Sequence, residues 1–279
     1  ERGEMDAARA ALTRAAGAIE RCGDRELKRA IIWYADAAIC ASRDVWEPTQ
    51  ALALLARCEP IFAAREPARS RDAQTLRGII HLHSGEYVAA MEDFAAVASR
   101  TDVANRVARA DALRNLANAF VRVGRLDNAE SLLREVRTAD IDLGRKLHII
   151  RNDALAAVLA QSRKDFKVAS RRFEDVQRRF AAAGEHESAM IAGKERAVSL
   201  VAAGQLADAA AVLRQLLASG VAAGSDRKRF TAEAFAYLRD LAERNQLTFD
   251  IASAVAAYVD RIHVQRAVPF TPPMSSLTM

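Results

Sequence analysis

Apolar residues along this chain recur at spacings of three and four, the period of one helix face, and no stretch alternates apolar and polar positions in β-branched residues. The pattern predicts an all-α chain. A longer period lies over the helical one. A turn glycine is followed two positions later by a large apolar residue, five later by Ala and nine later by another apolar residue at Gly85-Glu86-Tyr87, Ala90 and Phe94. The pattern recurs at Gly124-Arg125-Leu126, Ala129 and Leu133, and with lysine in the glycine's place at Lys164-Asp165-Phe166, Ala169 and Phe173. It returns at Gly204-Gln205-Leu206, Ala209 and Leu213, so the intervals are 39, 40 and 40 residues.

Seven residues before each turn position stands a small residue: Gly78, Ala117, Ala157 and Ala197. Four before it stand His81, Phe120, Ala160 and Leu200. Two antiparallel helices need this arrangement. The small residue of helix A admits the alanine of helix B, large residues fill the groove on either side, and the glycine bends the hairpin.

These residues resemble the tetratricopeptide repeat (TPR), most clearly in Gly78-x2-His81-x3-Gly85-Glu86-Tyr87-x2-Ala90-x3-Phe94 and Leu116-Ala117-x2-Phe120-x3-Gly124-x-Leu126-x2-Ala129. The usual period of that family is about 34, so some six extra residues per unit imply longer helices or longer links. The family's aromatic early in helix A is replaced by Gln74 and Leu113, and its closing proline is missing. The resemblance implies a right-handed superhelical solenoid of antiparallel hairpins with helix A on the concave face.

The same ruler reads Gly3-Glu4-Met5-x2-Ala8-x3-Leu12 as a turn plus helix B, half a repeat whose helix A would precede residue 1. It then places a helix A over 25–42, a helix B over 47–64 interrupted by Pro60, and a last hairpin over 231–263. About six full hairpins after the leading half make one helical repeat domain, 1–263, followed by an extended or disordered tail, 264–279, with Pro269, Pro272 and Pro273. A start within a repeat predicts a fragment of a longer protein. The segment from Phe230 to Phe270 is similar to the closing helices of bacterial tetratricopeptide proteins that carry an N-terminal zinc-finger, anti-sigma-like module.

Composition narrows the function by exclusion. The net charge is +5, and the basic runs are short: Arg227-Lys228-Arg229, Arg171-Arg172 and Arg178-Arg179. They read as solvated helix faces, so nucleic acid is not an expected partner. Cys22, Cys40 and Cys58 lie singly in helical patterns, as reduced core thiols of a cytoplasmic protein would. No apolar run reaches the roughly 18 residues of a membrane span, and no signal peptide is visible. No phosphate loop, zinc-protease motif or nucleophile elbow occurs. His81 and His83, two apart on a helix, face opposite ways and cannot share a metal; His81 is expected in the core. The acid pairs Asp140/Asp142 and Glu185/Glu187 are expected at helix ends, as caps or in solvent. The expectation is a non-enzyme with no catalytic residues, no metal and no cofactor.

A binding groove remains. The helix-A register points Asp111, Arg114, Asn118 and Val121 inward, with Arg122 beside them. Arg151, Ala154, Val158 and Gln161 follow in the next helix A, then Ile191, Lys194, Val198 and Val201. Arg114-x3-Asn118 is similar to the basic–x3–Asn spacing with which chaperone-binding TPR domains hold a terminal carboxylate, since a guanidinium fork and an amide on adjacent turns can donate to one carboxylate. Leu155, Ile191 and Glu195 stand where the rest of that clamp would be, which excludes the full clamp. The expected partner is a protein or peptide segment, acidic and amphipathic, held where the groove is basic at one end and apolar at Val158, Val198 and Val201. Removing the Arg114 and Asn118 side chains is expected to weaken binding and leave helix melting unchanged. The alternative is a ligand- or peptide-sensing region of a larger bacterial transcription regulator.

Overall fold

A computed structural model of the chain describes residues 2–19, 24–42, 45–100 and 105–222. They form eleven helices: α1 (Arg2–Ile19), α2 (Arg25–Cys40), α3 (Pro48–Arg65), α4 (Pro67–His83), α5 (Tyr87–Arg100), α6 (Arg106–Arg122), α7 (Leu126–Asp142), α8 (Lys146–Ser162), α9 (Phe166–Ala182), α10 (His186–Ala202) and α11 (Leu206–Ala222). No strand occurs among the described residues. None of their helices is long and apolar enough to cross a membrane. The chain divides into two compact units, 1–163 and 164–279.

The forty-residue period resolves into two half-periods of twenty. Each of α6 to α11 spans 17 residues, and three-residue turns separate them, so the residues beyond the usual repeat lengthen the helices, not the links. The turn chemistry explains the regularity. At the α6–α7 turn the N–H of Val123 reaches Ala119 O, that of Gly124 reaches Val121 O, and that of Arg125 reaches Phe120 O at 2.9 Å. This is a left-handed C-cap, and Gly124 at φ 76° adopts it without the Cβ clash another residue would meet. Gly144 and Gly184 do the same between hairpins, at φ 66° and 76°. Lys164, at φ 64°, takes that conformation without a glycine's freedom.

The seam positions behave as the repeat requires. Ala90, Ala129, Ala169 and Ala209 are fully buried, as are Ala117, Ala157 and Ala197. In the α4–α5 hairpin a Cβ on Gly78 would lie 2.7 Å from Phe94 Cε1 and 3.1 Å from Asp93 Cβ. The small residue of helix A therefore makes room for the phenylalanine of helix B. Burying one such ring contributes roughly 1.5–3 kcal/mol.

In the first unit each helix packs on the next, and α4 touches α6 as α6 touches α8. First helices of successive hairpins thus lie side by side on one face. A continuous core runs through Phe62 and Ile80, then Phe94 and Leu116, to Ala117, Val121, Leu133 and Leu159. In the second unit α10 lies between α9 and α11: a Cβ on Gly193 would meet Gln177 on one side and Leu216 on the other at 2.8 and 2.7 Å.

Two expectations change. Pro60 does not interrupt helix B, for α3 runs unbroken from Pro48 to Arg65. Pro60 faces outward, and fully buried Leu55, Cys58 and Phe62 pin both halves to the core across the one hydrogen bond the proline cannot donate. Gly3 is not a turn residue, because α1 already begins at Arg2. Cys40 and Cys58 are buried free thiols, whereas Cys22, the basic run at 227–229, the hairpin at 231–263 and the tail at 264–279 lie outside the described residues.

Candidate functional site

The richest polar constellation gathers where α6, α7 and α8 meet. Arg114, projecting from α6, donates from NH1 to Asp111 Oδ1 at 2.7 Å, from Nε to Asn152 Oδ1 at 2.6 Å and from NH2 to Asp140 Oδ2 at 2.8 Å. Asn152 of α8 donates to the same Asp140 oxygen at 2.7 Å. Arg145, in the α7–α8 turn, donates to Asp111 Oδ1 at 2.7 Å and places NH1 3.2 Å from Asp140 Oδ1. The Arg145 NH2 nitrogen also lies 2.6 Å from His148 Nδ1 and 3.0 Å from Nε2. His148 Nδ1 in turn lies 3.3 Å from Asp111 Oδ1.

Asp140 is fully buried and Asn152 nearly so, while Arg114 and Arg145 keep only 12% of their side chains exposed. Burial pushes the Asp111 carboxyl up, but hydrogen bonds from Arg145 and Arg114 more than reverse this and hold it below the usual carboxylate range. Burial, then the Arg145 charge, hold the His148 imidazole below its ordinary value.

Two sequence expectations are corrected here. Asp140 is neither a cap nor solvated: it is the buried centre of an ion lattice. Arg114 is not a free groove cation, because three of its nitrogens are committed within the lattice. Removing it therefore perturbs stability as well as the surface. Forty residues on, the places of Arg114, Asp140 and Asn152 are taken by Ala154, Phe180 and Ala192. One repeat is polar where the next is apolar at all three positions, and comparing repeats position by position is the signal that would have found the lattice. The remaining acid pairs are ordinary surface groups: Asp142 pairs with Arg106 at 2.9 Å, and Glu185 stands at the start of α10 without capping it.

The other register positions are distributed as follows. Val121 is buried in the core with Leu133 and Leu159, which removes it from the surface. Asn118, Val158 and Gln161 are half-buried, and Arg122 and Arg151 are exposed, all in the first unit. Lys194, Val198 and Val201 are half-buried on α10 of the second. His81 is largely shielded, with Nδ1 bonded to Glu86 and Nε2 3.9 Å from Asp93. Among the described residues no group of His, Cys, Asp and Glu is placed to hold a metal ion.

A cleft of about 420 Å³ opens between α6 and α7, floored by Ala110, Leu113, Val136 and Ala139 and rimmed by paired charges. Its pairs are Arg106–Asp142 and Arg109–Glu135, both at 2.9 Å. No spacing in the sequence announces it.

No protein-family model and no curated protein matches the sequence. Solved structures do. The TPR-like repeats of a kinesin light chain from Podosopora anserina superpose with a TM-score of 0.54 at 20% identity, over 71% of this chain and 98% of that one. The fold is TPR-like. Two Rap structures share it. One is the Rap conjugation gene regulator of the plasmid pLS20 in complex with the Phr* peptide (TM-score 0.65, 11% identity, 87% of this chain and 66% of that one). The other is a Rap protein complexed with competence and sporulation factor (TM-score 0.64, 14% identity, 90% and 79%). At these identities the likeness concerns the TPR-like hairpins alone.

Proposed function

We propose that this TPR-like chain is a non-catalytic binding module that takes a protein or peptide segment on its helix-A face, at α6 and α8 of the first unit. One observation carries the reading: first helices of successive hairpins lie side by side, presenting half-buried Asn118, Val158 and Gln161 with exposed Arg122 and Arg151. Half-buried apolar side chains beside cations that have no acidic partner among the described residues suit a segment that is amphipathic and acidic. The complex of the pLS20 Rap regulator with the Phr* peptide supports a peptide-capturing use of this fold. On α10, Lys194, Val198 and Val201 form the corresponding face of the second unit. Buried free thiols at Cys40 and Cys58 fit a reducing compartment such as the cytoplasm.

The test is site-specific photo-crosslinking in cells. A photoreactive residue at Asn118 or Val158 is expected to capture a discrete polypeptide, and one at the exposed helix-B positions Arg134 or Arg172 is not. Equal capture from both sets removes the reading. The regulator neighbours equally favour a sensing region within a larger protein. Stabilisation by small metabolites and not by peptides would select that alternative.

A further inference from the structure

The cationic end of the helix-A face carries an inference that rests on the binding reading above. On α8, His148, Arg151, Leu155 and Val158 are spaced by three, four and three residues, so they form one stripe. The stripe begins with two basic side chains and continues with two half-buried apolar ones. Arg114 and Arg145 stand behind its first turn, both drawn onto Asp111. Two carboxylates, Asp111 and Asp140, serve Arg114 and Arg145, and Arg151 adds a third guanidinium to this end of the face. Arg151 is exposed and has no acidic partner among the described residues. The spot already holds one half-exposed carboxylate, Asp111, between two arginines and the imidazole, so its chemistry suits that group.

We propose that Arg151, with His148 beside it, anchors an acidic side chain of the bound segment, whose apolar side chains then lie along Leu155 and Val158. The charges acting on His148 are Asp111 and Arg114 from α6 and Arg145 and Arg151 from α8 and the turn before it, while Asp140 of α7 faces Arg145. Burial first, and then the arginine charges, hold the imidazole below its ordinary value. A second carboxylate at Arg151 offsets that positive field and stabilises the imidazolium. Protonation displaces the Arg145 donor now 2.6 Å from Nδ1, and the new Nδ1–H faces Asp111 Oδ1, 3.3 Å away. Binding thus takes up a proton, and affinity rises as pH falls from 8 through the His148 titration, while the partner's carboxylate stays ionised down to about 4.3.

The test uses the full chain, the blocked peptide acetyl-Glu-Leu-Leu-amide and its Gln counterpart, followed by NMR at the His148 Cε1–H and Val158 methyl signals. The Glu peptide is expected to shift both saturably and to raise the His148 titration midpoint. The Gln peptide moves only the methyls, more weakly. Arg151→Ala should weaken the Glu peptide about fivefold and abolish its preference over Gln; Lys28→Ala, on exposed α2 surface, should change neither. Equal affinity for the two peptides, or an Arg151→Ala protein that still prefers Glu, overturns the anchor and leaves the binding face intact. Silence at both signals removes the face, and the anchor with it.

Discussion

Asp140→Ala puts the buried lattice to a quantitative test. The substitution removes the acceptor that takes Arg114 NH2 at 2.8 Å and Asn152 Nδ2 at 2.7 Å and that faces Arg145 NH1 at 3.2 Å. An orphaned buried donor costs about 1–3 kcal/mol, and breaking a buried ion pair about 3–5. Both arginines keep Asp111 and a 12% opening to solvent, so the lower end applies, about 3 kcal/mol. The compensated exchange Arg114→Ala, Asp140→Phe, Asn152→Ala instead installs the residues found forty positions on. It removes charge and partner together, and is expected to fall within about 1 kcal/mol of the parent or above it. Urea titration read by tryptophan fluorescence suits both, because the only two tryptophans, Trp33 and Trp46, lie in the first unit. The midpoint should drop for Asp140→Ala and recover in the triple exchange at constant slope. A single-substitution loss under about 1 kcal/mol, or a triple variant worse than the single, would refute the claim that this lattice holds the α6–α7–α8 seam.

Two further predictions concern the repeat geometry. Lys164→Gly relieves a residue held at φ 64° and should stabilise by about 1 kcal/mol; an unchanged melting curve by circular dichroism would mean the turn stores no strain. Gly78→Ala drives a Cβ to 2.7 Å from Phe94, an overpacking cost of about 1–3 kcal/mol that exceeds the roughly 1 kcal/mol gained in helix propensity. A net loss near 1 kcal/mol in the same fluorescence assay is expected, and stabilisation would count against the seam register.

What the sequence made legible was whatever repeats, and what it hid was whatever breaks the repeat. The buried seam alanines, Ala90, Ala129, Ala169 and Ala209, recur at one spacing because every hairpin solves the same packing problem. The turn glycines were read for only half the turns. Gly144 and Gly184 are followed by Arg145-Lys146 and Glu185-His186, so the large apolar residue that marked Gly124 and Gly204 is absent, although the backbone need is identical. The candidate site was legible as a set of positions but not as a set of roles. Helix register alone places Arg114 and Arg151 equally on one face, since it says which way a side chain leaves the helix and nothing of what meets it. Arg114 meets the buried Asp140, contributed by the next helix, whereas Arg151 meets no carboxylate among the described residues. That difference arises from one departure: a carboxylate stands where the following repeat buries Phe180, and it needs Arg114, Arg145 and Asn152 around it to be tolerated at all. The cations tied up in satisfying Asp140 contrast with Arg151, which keeps capacity to spare, so this apolar-to-polar exchange also separates the arginine that holds the seam from one that a partner could use.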